Sequence, residues 1–225
     1  MGAVIGDILL LGFGIVIGGP ITIITAILLL TGERGHIKGL GYLIGWVVGL
    51  TLLVAGVVFL VRGRDFSHAS TPSLIVGWLK VLGGVALLIL AYLTWRRRPP
   101  PDAQPELPRW LQRINQLAPA TALAAGLFFG LVSLKNLLFA SAAAAALGQA
   151  HLNTLQAVVS VLLFVLIASL GIATPVYVAL TRRENAQKIF AAWVQWLSVN
   201  NTVIVALLCI LLGIKLFGDG LSVVW

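Results

Sequence analysis

Apolar residues dominate six long stretches, about 3–30, 37–61, 73–95, 119–147, 153–180 and 199–217, with short polar connectors between them. A hydrocarbon core about 30 Å thick takes roughly 20 apolar residues per helical span, so each stretch predicts one transmembrane helix. Runs such as Ile21–Leu30 and Val158–Leu170 are apolar nearly throughout, whereas strands of a membrane barrel alternate apolar and polar residues. The pattern predicts an all-α membrane protein of six helices with almost no extramembrane part. The first stretch has no basic segment before it and no convincing small-residue cleavage site. It reads as a retained helix rather than a secretory signal.

Composition agrees. Of the 225 residues, 60% are apolar and only 10% charged, and the mean hydropathy is +1.04; a soluble domain carries about 25% charged residues. A net charge of +8 in a soluble protein would suggest nucleic acid, but here the positions of the charges explain it. Ten of the fifteen basic residues fall in three alternate connectors. Arg34 and Lys38 lie between the first two spans, Arg96, Arg97, Arg98, Arg109 and Arg113 between the third and fourth, and Arg182, Arg183 and Lys188 between the last two. Cytoplasmic connectors collect Lys and Arg. Both termini are therefore expected outside the cytoplasm, across a bacterial inner membrane, with no nucleic-acid partner. The lone Cys209 offers no internal disulfide and no thiol-exchange pair.

The connector 96–118 is basic and rich in proline, which stiffens it into extended structure. It divides the chain into a first three-helix half (1–95) and a second (119–225). Pro108–Leu117, with Trp110 beside Arg109 and Arg113, reads as a short interfacial helix. Glu184–Ser198, with Phe190, Trp193 and Trp196, reads likewise. Both suit aromatic and cationic anchors for the spans that follow them.

The halves correspond. Gly18-Gly19-Pro20 interrupts the first apolar run, and Ser133-Leu134-Lys135-Asn136 interrupts the fourth. Three helices per half is an odd number, so the second half would enter the membrane inverted. Paired interruptions in inverted repeats mark a midplane site in transporters. Pro20 alone fits either a kink or a break; the pairing favours a break. Proline suits the first helical position, and Ser133 or Asn136 could cap a comparable start in the fourth span. Helix starts carry unpaired N–H groups and partial positive charge, so two facing starts beside Lys135 would attract an anion.

Lys135 lies near the middle of its span, where lysine is disfavoured by about 2.5–3.5 kcal/mol on insertion scales. It must face the bundle interior or water. Lys80 is shallower and either snorkels or contacts ligand. Asp7, near the outer end of the first span, reads as hydrated. Gly41, Gly45 and Gly49 form a small-residue ridge that suits either core packing or a dimer seam.

Some chemistry is missing. There is no P-loop motif, and His36, His68 and His151 lack metal-ligand spacing. No nucleophile–base pair stands out, and the spans lack the carboxylates a cation pathway needs. The chain is expected to move a neutral, zwitterionic or anionic substrate rather than to be an enzyme, with no cofactor and no metal.

Gly19-Pro20 ahead of a long apolar run, Gly41–Gly49 with Trp46, the Lys135-Asn136 pair, Pro175 late in the fifth span and the closing Leu212-Gly213 resemble the lysine-exporter (LysE) superfamily. The chain is most similar to its peptidoglycolipid-addressing (GAP) or sulfolipid-addressing family. That family has Asn-Pro-Lys-Asn where this chain has Ser133-Leu134-Lys135-Asn136, so the fourth span keeps the Lys-Asn pair but lacks the proline that would make a clean break. The resemblance implies translocation of a glycolipid or related anionic lipid, six helices in two inverted triplets, and homodimers. The expected headgroup contacts are Lys135, Asn136, Ser133 and Gly18-Gly19-Pro20, with Lys80 and Pro175 as further candidates. Two rival expectations stand beside this: an exporter of amino acids or other small solutes, and a non-transporting accessory subunit of a lipid-synthesis or lipid-export complex.

Overall fold

A computed structural model of the chain describes residues 2–62, 74–96, 111, 113–149, 153–182 and 185–224. Its helices are α1 (Gly2–Ile17), α2 (Pro20–Thr31), α3 (Gly35–Arg62), α4 (Leu74–Arg96), a 3₁₀ turn (Ile114–Gln116), α5 (Pro119–Leu131), α6 (Leu134–Gln149), α7 (Thr154–Thr181) and α8 (Ala186–Val224). Among the described residues every regular element is helical.

Helices α3, α7 and α8 are each long and apolar enough to cross a membrane. The pairs α1–α2 and α5–α6 reach the same length and hydropathy together, bent by 61° and 54°. The chain is thus a multi-pass membrane protein by helix length and hydropathy, with three candidate spans among the described residues, or up to five if each bent pair is one span; α4 contributes a shorter apolar helix, Val81–Arg96. The core is apolar, but unlike that of a water-soluble protein the surface is apolar too. Phe59 is 77% exposed and Leu155 73%, while Asn136 and Thr25 are fully buried. Lipid tails accept the former, and internal hydrogen bonds satisfy the latter, as a bilayer requires. The hydroxyls of Thr22, Thr25, Thr51, Thr174 and Thr181 accordingly bond carbonyls three or four residues back.

The chain divides into two compact units, Met1–Arg64 with Pro105–Ser198, and Asp65–Gln104 with Val199–Trp225. In the first, α3 runs along α5 at backbone contact. A Cβ on Gly45 would strike the Leu123 carbonyl, and one on Gly126 the Tyr42 carbonyl. The glycine ridge of the second span therefore serves packing within one chain. Helix α7 lies against α1, α2 and α3, and α6 against α1 and α3; α7 begins with a reciprocal capping box between Asn153 and Gln156. In the second unit, α4 meets the C-terminal part of α8 at Gly84, where a Cβ would come within 2.8 Å of the Gly213 carbonyl.

Two expectations about the connectors change. From Ala186 onward the expected interfacial segment runs on into the sixth span as one helix of 39 residues, Ala186–Val224. No glycine or proline falls between Ala186 and Leu212, so nothing stops the helix where the composition changes. Most of the 96–118 connector, Pro105, Pro108 and Trp110 included, lies outside the described residues. Its last part is a 3₁₀ turn, and Leu111 and Ile114 are buried rather than turned toward headgroups.

Candidate functional site

The break between α1 and α2 follows from one missing hydrogen. In a continuous helix the Val16 carbonyl would accept from the N–H of residue 20, and proline has none. Gly19 N–H instead donates to Val16 O at 3.2 Å. That shift removes the ordinary donor of the Ile15 carbonyl. Lys135 fills the place, its Nζ donating to Ile15 O at 3.3 Å. Pro20 then opens α2 at its first position, as proline favours. Gly19 has φ −118°, so glycine is required there for space: a Cβ would lie 2.6 Å from Thr22 Oγ1 and 3.4 Å from Lys135 Nζ.

The break between α5 and α6 is held by a side chain. Asn136 Nδ2 donates to the carbonyls of Phe129 and Gly130 at 3.0 and 3.1 Å, which are among the C-terminal carbonyls that a helix end leaves unpaired. Its Oδ1 accepts from Lys135 Nζ at 2.9 Å. Asn136 therefore caps the end of α5 rather than the start of α6, and it does so without the proline of the family pattern. Ser133 supplies the backbone start of α6, its carbonyl accepting from Leu137 N–H at 3.0 Å.

The structure thus brings Lys135, Asn136, Gly19 and the carbonyl end of α1 into one cluster, with Gly18 and Pro20 flanking Gly19 along the chain. Lys135 is half-buried and Ser133 likewise. One detail differs from the sequence reading. The ammonium sits against the carbonyl end of α1, where helix polarity favours a cation, and not only among helix starts. Trp46 forms the floor: Lys135 Nζ stands 5.4 Å from its ring centre, within cation–π range. Trp46 is 1% exposed, and among the described residues its Nε1 has no hydrogen-bond partner. Tyr42, one turn earlier on α3, donates to the Thr22 carbonyl at 3.4 Å, tying α3 to the first turn of α2.

The other candidates lie elsewhere. Pro175 is buried within α7 and lines a separate cavity of about 350 Å³ with Ile23, Gly171, Thr174, Trp193, Trp196 and Leu197. Lys80 belongs to α4 in the second unit, and its side chain lies outside the described residues. Asp7 is exposed. Among the described residues no cluster of three or more His, Cys, Asp or Glu could hold a metal.

Sequence reasoning gave two residues too little weight. Lys38, counted only as a connector charge, is 5% exposed and donates to the Asn115 carbonyl at 2.8 Å. It clasps the end of the 96–118 connector to α3. Trp46 carried a signal of its own: a tryptophan inside a span rather than in an interfacial belt.

No curated protein and no solved structure matches the chain. The family model of Sap, the sulfolipid-1-addressing protein, matches residues 8–222, and the chain belongs to that family.

Proposed function

We propose that the chain moves an anionic or glycosylated lipid, of the sulfolipid class its family name implies, across the inner membrane. The carrying observation is the placement of the Lys135 ammonium at the meeting of two broken helices. An ammonium has three hydrogens. Ile15 O and Asn136 Oδ1 take two, and the third is assigned to the lipid headgroup. Trp46 Nε1 offers a further donor in the same cluster. Ile15 O and Asn136 hold the ammonium, Ser133 and the Gly18–Pro20 turn shape the headgroup space, and the lipid tails remain in the bilayer.

The wider architecture supports this reading. Each break lies in the first apolar run of its half, and the bends, 61° and 54°, are similar. The first compact unit draws α1–α3 from one half and α5–α7 from the other. We read this as six spans in two inverted triplets, 1–95 and 119–225 around the 96–118 connector, with both termini outside the cytoplasm.

The test is translocation in liposomes holding the purified protein, with a headgroup-labelled sulfated glycolipid and a neutral glycolipid compared. Lys135→Met should slow the sulfated lipid by roughly tenfold to a hundredfold, the rate equivalent of losing a hydrogen bond to a charged group. Lys135→Arg should retain part of the rate. Equal rates for wild type and Lys135→Met would refute the assignment. Efflux of amino acids without lipid movement would favour a solute exporter, and inactivity with a co-purifying partner would favour an accessory subunit.

A further inference from the structure

Two cavities outside the Lys135 cluster share one seam, formed by α2, α7 and the first part of α8, all within the first compact unit. The upper cavity, about 350 Å³, is lined by Thr31, Gly32, His36, Gln187 and Phe190 among others. The lower one, of similar volume, holds Ile23, Thr174, Pro175, Trp193, Trp196 and Leu197. Both volumes fall within the range of ligand pockets, roughly 300–1,000 Å³. Between them Ile27 packs on Ala186 and Phe190, with Trp193 and Leu197 against that cluster. Seven residues separate Ile23 from Leu30 on α2, and seven separate Phe190 from Leu197 on α8. At 1.5 Å per residue the cavities are stacked about 10 Å apart along the helix axes.

Their chemistry differs along that line. The upper cavity carries a hydroxyl, an imidazole and a carboxamide, and among the described residues three exposed cations, Arg34, Arg182 and Lys188, lie close in sequence to its lining against one exposed acid, Glu33. The lower cavity is aliphatic and aromatic apart from the Thr174 hydroxyl, which is turned back on the Leu170 carbonyl at 2.6 Å. Both reach the surface through exposed residues: Thr31, His36 and Gln187 above, Thr174 and Trp196 below. A polar mouth, with cations outnumbering acids in the adjoining sequence, over an apolar slot within spanning helices matches one ligand chemistry, an amphiphile with an anionic head and a hydrocarbon tail.

We infer that the α2–α7–α8 seam is a lateral docking site for an anionic lipid, with its headgroup in the upper cavity and its acyl chain over the Phe190 sill in the lower one. This deepens the proposed function, since it supplies the place where the transported lipid first binds. It also gives Pro175 a role apart from the Lys135 cluster, as a wall of the chain slot.

The test separates docking from transport. Wild-type protein is placed in phosphatidylcholine vesicles carrying a phosphatidylglycerol with a photoactivatable acyl chain, and the cross-linked residues are mapped by mass spectrometry. Label should concentrate on Trp193, Trp196 and Ile23. Thr174→Phe, which fills the slot from an exposed position, should lower it about tenfold, the scale of steric effects in apolar pockets. Lys135→Met should leave it unchanged. A phosphatidylcholine probe with the same chain should label the seam less. Label spread evenly over lipid-facing helices and insensitive to Thr174→Phe would overturn the inference, even with translocation intact. Seam labelling in a protein that moves no lipid would sustain the docking site and refute the transport reading instead.

Discussion

Replacing Asn136 by leucine tests how the second break is held. Leucine keeps the approximate volume and the helical preference of the site but removes all three hydrogen bonds of a fully buried amide. Measured interhelical bonds in membrane proteins average about 0.6 kcal/mol each. Two neutral bonds at about 1 kcal/mol and one to a charge at about 2 kcal/mol give the upper limit for a buried site. The expected loss is therefore about 2–4 kcal/mol. For a chain of this size that lowers the melting temperature by roughly 5–15 °C, read by thermal unfolding in detergent. Leu137→Ala, one position along on an exposed face, is the control and should change little. A double-mutant cycle with Lys135→Met should show coupling of about 1 kcal/mol or more, since the two side chains share a bond. A loss below about 0.5 kcal/mol for Asn136→Leu would place it among ordinary surface substitutions and refute the account of the break.

The glycine contacts and the connector clasp give three more outcomes. Gly45→Leu must part α3 from α5 and should destabilise by about 3 kcal/mol, the upper end of overpacking. Gly56→Ala, whose Cβ meets nothing within 4 Å, should gain about 0.5–1 kcal/mol from helix propensity; both are read by the same melts. Lys38→Met removes the bond to Asn115 O and should speed tryptic cleavage at exposed Arg113 by about tenfold, the effect of losing a charge-assisted bond. An unchanged digestion rate would show that the clasp does not hold the connector.

The sequence makes some of this architecture readable and hides the rest for physical reasons. Pro20 announces its break because a missing N–H is a local fact. The second break was visible as a polar run, but its mechanism was not: Asn136 reaches carbonyls six and seven residues back, which only a bent backbone allows. The contact between Lys135 and Ile15 spans 120 residues and depends on how the halves meet. Lys38 illustrates a different blindness. Charge patterning places a lysine near an interface without saying which carbonyl it will find. The fusion of residues 186–198 with the last span is readable, since the absence of any helix breaker there is plain in the sequence.

The carbonyl released by Pro20 has a consequence for assembly. The first half cannot complete its own hydrogen bonding, because the donor that closes Ile15 is made 120 residues later. Nor can the second half shelter its cation alone, because that acceptor belongs to the earlier segment. During synthesis each half waits in the bilayer with an unmet electrostatic need that only the other relieves. Their union is thereby selected over a stable existence apart.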